Sequence, residues 1–141
     1  MTSDTERIEK TRAANRAEGL CACGSVPVIG RKCCNSCLMR ARISNRLSKN
    51  KRKREAFDAY GGPVCVCCKE DEYDFMTIDH INGGGGAHRK EIGNYSIYFW
   101  LKKNGYPPGF QVLCFSCNFA KGHFGMCPHE RRRQNALVAV G

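Results

Sequence analysis

Two patterns in the chain carry chemistry through residue type and spacing. The first is Asp79-His80 in "TIDHINGGGG" (77–86), a carboxylate beside an imidazole, flanked by Ile78 and Ile81 and followed by four glycines. Such a pair serves as an acid–base device, as metal ligands, or as a hydrogen-bonded patch at a strand end. The second pattern is paired cysteines. Cys65-x-x-Cys68 and Cys114-x-x-Cys117 are two CxxC half-sites. Each presents two thiolates to one ion, and two such knuckles close a tetrahedral zinc site with no open position, which is structural rather than catalytic. Cys67 lies between the ligands of the first knuckle, but CxxC spacing favours Cys68.

A second cluster pairs Cys21-x-Cys23 with Cys34-x-x-Cys37. It reads as another four-cysteine zinc site, with a tighter first spacing and with Cys33 as the alternative to Cys34. About two structural zinc ions per chain are therefore expected. "GHFGMCPHE" adds His123, Cys127 and His129. Three local ligands fall short of the four zinc prefers, so an unligated turn is the simpler reading. A third metal drawing on Cys67 is the alternative.

The elements around these residues have little else to hold them. The chain has 141 residues, 11 of them cysteine, and large aliphatics are sparse, so the core must be small and metal-stapled. The N-terminus is charged throughout, so no secretory signal is expected, and no run of about 18 apolar residues exists to span a membrane. An intracellular, reducing location follows, where clustered cysteines read as zinc ligands. The net charge is +10. Arg40, Arg42, Arg46, Lys49, Lys51, Arg52, Lys53 and Arg54 fall in one acid-free block, which points to a polyanion such as nucleic acid.

Composition divides the chain into a frayed or disordered segment (1–18), a zinc knuckle (19–39), a basic helix and linker (40–59), a chemistry-bearing domain (60–129) and a loose tail (130–141). Residues 38–60 lack Gly and Pro and favour helix, with Leu38, Ile43, Leu47, Ala56 and Phe57 available to lean on a neighbour. "EYDFMTIDHI" and "FQVLC" read as strands, and "EIGNYSIYFWLKKNG" as a helix with a glycine cap. The fold class is a small, zinc-stapled α+β protein.

Taken jointly, "CVCC…TIDHINGGG…LCFSCNFAKG" resembles the HNH, or ββα-metal (His-Me finger), endonucleases, most closely the small zinc-bearing members common in bacteriophages. The resemblance covers roughly residues 60–129 and implies an HNH core in which a hairpin carries Asp79-His80 and a helix carries Asn118. It implies His80 as general base for DNA phosphodiester hydrolysis, with Asp79 and Asn118 as oxygen ligands suited to Mg²⁺ or Mn²⁺. Many members have histidine at the Asn118 position; asparagine moves preference towards Mg²⁺. Lys121 is expected on phosphate, and His88, Arg89 and Lys90 are expected to reach the scissile strand from a mobile loop. The family usually has a middle asparagine five residues before the second knuckle; Gly109 stands there, with Gln111 or Asn82 as possible substitutes.

The resemblance implies cleavage of one strand per site, so a double-strand break needs a homodimer or a second event. A phage-encoded member would work in the cytoplasm of a bacterial host. The alternative is a catalytically inactive HNH-like zinc protein that binds nucleic acid, and Gly109 favours it. A ribosome-associated or RNA-binding zinc protein is a weaker third reading.

Overall fold

The structure is a computed structural model that describes residues 3–138. Its described residues form a small α+β protein of six helices and a two-stranded sheet. The chain divides into two compact units, one up to Ser48 and one from Lys49 onward. No helix among the described residues is long and apolar enough to cross a membrane.

The first unit opens with α1 (Asp4–Ala17), where fraying or disorder was expected. Ser3 and Glu6 form a reciprocal capping box, and Asp4 and Glu6 sit at the positive end of the helix dipole. Polar capping sustains this helix without a buried face. Asn15 then donates to the Ala22 carbonyl (3.1 Å), which ties α1 to the first cysteine knuckle.

α2 (Asn35–Ala59) is rich in Ala, Leu, Arg and Lys, and its two ends belong to different units. Gly61 and Gly62, both at positive φ, stop it, and the Gly62 N–H donates to the Phe57 carbonyl (2.8 Å). Only Ala56 and Phe57 of α2 are buried; Ile43 and Leu47, expected to lean on a neighbour, are exposed.

The second unit is built on β1 (Met76–His80) and β2 (Phe110–Cys114), paired antiparallel from Met76↔Cys114 to His80↔Phe110. Between them run α3 (Gly85–Ile92) and α4 (Ile97–Lys103). α5 (Phe115–Phe124) follows β2 directly, with Cys114 as its N-cap. The core comprises nine buried residues, of which Cys65, Cys67, Cys114, Cys117 and Cys127 are five. Phe57, Met76, Val112 and Leu113 complete it, so buried cysteines and the apolar core are one body.

Two segments depart from expectation. "GGGGAHRKE" is not a mobile loop: Gly83 and Gly84 turn at φ +76° and +83°, and the remainder winds into α3. The tail is not loose through its described part, because residues 128–138 form α6 (Pro128–Val138). Pro128 presets the first helical turn, and Arg133 donates to the Cys67 carbonyl (2.7 Å). Residues 139–141 of the expected tail and 1–2 of the N-terminal segment lie outside the described residues.

Candidate active site and zinc clusters

β1 is regular, so Asp79 and His80 point to opposite faces of the ribbon. Asp79 shares its face with Thr77, and both meet α5. Asn118 and Lys121, one helical turn apart, answer them. Asn118 Nδ2 donates to Thr77 Oγ1 (2.8 Å), and Lys121 Nζ pairs with Asp79 Oδ2 (2.5 Å). Gln111 is the cross-strand partner of Asp79 and donates Nε2 to the same oxygen (2.8 Å). Asp79 Oδ1 and Asn118 Oδ1 have no hydrogen-bond partner among the described residues.

Lys121 also donates to the carbonyls of His80 (2.7 Å) and Ile81 (2.9 Å), which uses all three ammonium hydrogens. It therefore braces the loop after β1 rather than standing free for phosphate. The Ile81 N–H donates to the Gly109 carbonyl (2.9 Å). Gly109 sits at φ +104°, a conformation other residues rarely adopt. The tether sought from a middle asparagine is thus supplied by backbone and by Lys121. Gln111 holds Asp79 instead of the loop.

On the other face, His80 stacks at a tilt on its cross-strand partner Phe110 (ring centroids 4.6 Å apart). Its Nε2 lies 2.8 Å from His88 Nδ1, and His88 packs edge-on against Trp100 (4.3 Å). His88, expected on a loop facing the scissile strand, is instead fixed to His80. Arg89 and Lys90 are exposed on α3. Gly85 closes the other side of the imidazole: a Cβ there would lie 3.1 Å from His80 Nδ1. Burial pulls the His80 pKa below its ordinary 6.5, and neighbouring His88 adds to the effect. The ring is therefore neutral at pH 7. Nε2 is committed to His88, and Nδ1 is left without a hydrogen-bond partner among the described residues.

Both faces converge on one cleft of about 930 Å³, whose walls include Asp79, His80, His88, Arg89, Asn118 and Lys121. The two uncommitted oxygens in it, on Asp79 and Asn118, could take a hard cation.

Three side-chain groups are placed to hold softer ions: Cys21, Cys23, Cys34 and Cys37; Cys65, Cys68, Cys114 and Cys117; and Cys67, Cys117, Cys127 and His129. The first two match the CxC/CxxC and CxxC/CxxC spacings. The third includes Cys67 and Cys127 but not His123, whose ring stacks on Phe119. Cys33 is in none of them. Within the groups the thiols compete for protons. Ser25 and neighbouring cysteines lower Cys23 to about 6, whereas hydrogen bonding with Cys23 foremost raises Cys37 to about 12. Burial pushes Cys65 up, but the backbone N–H groups of Cys114, Cys68 and Cys67 outweigh it and leave the thiol at about 7. Burial raises Cys117 strongly. A divalent cation would relieve that competition by ionising the thiols of a group together.

The basic block lies on α2. Arg40, Arg42, Arg46, Lys49, Lys51 and Arg54 are exposed. Arg52 and Lys53 are partly buried, with Arg52 over the Phe99 ring and Lys53 over Phe57 and Tyr73. Arg40 also donates to Cys37 Sγ (3.3 Å).

Sequence reasoning missed Thr77 and Gly85. Period-two alternation from Asp79 singles out Thr77, whereas nothing local marks Gly85 within a run of four glycines. No family model, curated protein or solved structure matches the chain.

Proposed function

We infer that this chain is a metal-dependent DNA endonuclease of the HNH, ββα-metal type. The observation that carries the reading is one cleft holding an uncommitted imidazole nitrogen on His80 and uncommitted oxygens on Asp79 and Asn118. The helix that bears Asn118 starts at a four-cysteine group.

Phosphodiester hydrolysis removes a proton from water as its oxygen bonds to phosphorus, and the bond to the leaving oxygen breaks. Neutral His80 accepts that proton at Nδ1. The contact with His88 commits Nε2 and leaves Nδ1 facing the cleft, and Phe110 and Gly85 fix the ring plane. Lys121 keeps the Asp79 carboxylate and the base-bearing loop in register. Held by Asp79 and Asn118, Mg²⁺ or Mn²⁺ would place positive charge on the phosphate and the departing oxygen. Exposed arginines and lysines of α2 would bind the DNA backbone.

One observation favours a second reading, a catalytically inactive HNH-like zinc protein that binds nucleic acid. The Lys121 ammonium already neutralises Asp79, as a metal would. Incubating the zinc-loaded protein with supercoiled plasmid, with and without Mg²⁺, beside His80→Ala, separates the two. Nicking that requires Mg²⁺ and disappears in the variant is expected. Plasmid binding without cleavage in any divalent metal would establish the second reading, and equal cleavage by both proteins would remove His80 from the chemistry.

A further inference from the structure

We propose that the second unit holds two zinc ions bridged by the Cys117 thiolate. Cys65, Cys68 and Cys114 complete the coordination of one ion; Cys67, Cys127 and His129 complete that of the other.

The geometry is that of two tetrahedra sharing a corner. Within each group the donor atoms all lie within 4.8 Å of one another, and Cys117 is the single residue common to both. A Zn–S bond of about 2.3 Å sets tetrahedral sulfurs about 3.8 Å apart. Cys68 and Cys114 sulfurs are 3.6 Å apart, and His129 Nδ1 lies 3.4 Å from Cys117 Sγ and 3.5 Å from Cys127 Sγ. If Cys117 served only one ion, the other would need a replacement ligand at the corner Cys117 now occupies. That residue is 1% exposed, so water does not reach the position. A shared thiolate gives both ions four ligands without a water.

The charge balance is also favourable. Six thiolates, from Cys65, Cys67, Cys68, Cys114, Cys117 and Cys127, and two zinc ions leave two negative charges, the same as a single four-cysteine site. Arg133 stands beside them and donates to the Cys67 carbonyl (2.7 Å) and sulfur (3.6 Å). His129 and Arg133 are one turn apart on α6, a helix with no buried residue. The second ion therefore explains what anchors α6, and with it Arg131 and Arg132. It also explains the doublet in "CVCC": Cys68 turns to one ion and Cys67 to the other.

The test is metal content and ¹¹³Cd NMR of the full chain. Native mass spectrometry should find one zinc fewer in Cys127→Ser/His129→Ala than in wild type. Far-UV circular dichroism checks that the variant stays folded, and Cys67→Ser provides an independent route to the same loss. In the ¹¹³Cd-loaded wild type, two resonances should split each other through the shared sulfur, and the splitting should vanish in both variants. Equal metal content in wild type and variants, or a full set of ¹¹³Cd signals with no mutual splitting, overturns the bridge. Neither readout depends on nuclease activity.

Discussion

Gly85→Ala and Gly86→Ala form a matched pair of which only the first is expected to change activity. Both residues lie in the first turn of α3, where neither needs a positive φ. Alanine at either site removes the glycine entropy penalty, so Gly86→Ala should gain up to about 1 kcal/mol of stability, whereas at Gly85 the contact with His80 offsets that gain. The pair differs in what the new methyl meets. At Gly86 there is nothing within 4 Å, whereas at Gly85 the methyl would lie 3.1 Å from His80 Nδ1. The imidazole must give by about half an ångström to reach ordinary contact near 3.5 Å. It has little room to do so, being held by His88 at 2.8 Å and packed on Phe110. A misplacement of about 1 Å costs on the order of 100-fold in rate, so roughly tenfold is expected here. Initial plasmid-nicking rates and thermal unfolding of the zinc-loaded proteins give both readings, and the His80 ring resonances report the displacement directly. Stabilisation of Gly86→Ala with unchanged nicking, and slowed nicking in Gly85→Ala, is the expected result. Equal rates in the two variants would refute the claim that the close approach of Gly85 positions the base.

Lys121→Met leaves Asp79 with only Gln111 and two loop carbonyls without their donor. The pair is mostly buried, with side chains 20% and 11% exposed, so a loss of about 2–3 kcal/mol is expected by denaturant unfolding at fixed excess zinc. A loss below 0.5 kcal/mol would show that the ammonium braces nothing. For His80, the depressed folded pKa means that the base is lost only as pH falls below 6.5. The acid limb of the nicking profile should therefore lie below that value, and His88→Gln should move it upward by removing a neighbour that disfavours the imidazolium. An acid limb above 6.5 in wild type contradicts this assignment. Replacing exposed Arg40, Arg42 and Arg46 together by Ala should reduce the slope of log K against log salt for duplex DNA by about three, at roughly 0.9 per lost phosphate contact. An unchanged slope would take these residues off the DNA.

Legibility in the sequence followed how local each physical signal is. CxxC spacing is a geometric constraint within four residues, so two four-cysteine groups were readable before any fold. Alternation in "EYDFMTIDHI" also made the strand around Asp79 readable. The third donor set was only partly readable: Cys67, Cys127 and His129 were open to it as an alternative, but the part of Cys117 was not, because it requires adjacent Cys67 and Cys68 to diverge. That divergence is set by how β2 and α6 approach the knuckle. Four glycines suggested mobility, yet two of them make a turn and one leaves room for an imidazole. Gly109 looked like the loss of a tether because a backbone carbonyl leaves no mark on composition. The helical tail was misread for a related reason: its stability comes from Arg133 and the cysteine cluster, not from a buried face of its own.

The proposed chemistry meets its most direct test in chemical rescue of His80→Gly by imidazole, with the zinc-loaded chain, Mg²⁺ and supercoiled plasmid. Losing a general base should slow nicking by about 100-fold or more. Added imidazole should restore part of the rate in proportion to its neutral form. Nicking by His80→Gly at the wild-type rate without imidazole would contradict the assignment of His80 as the base.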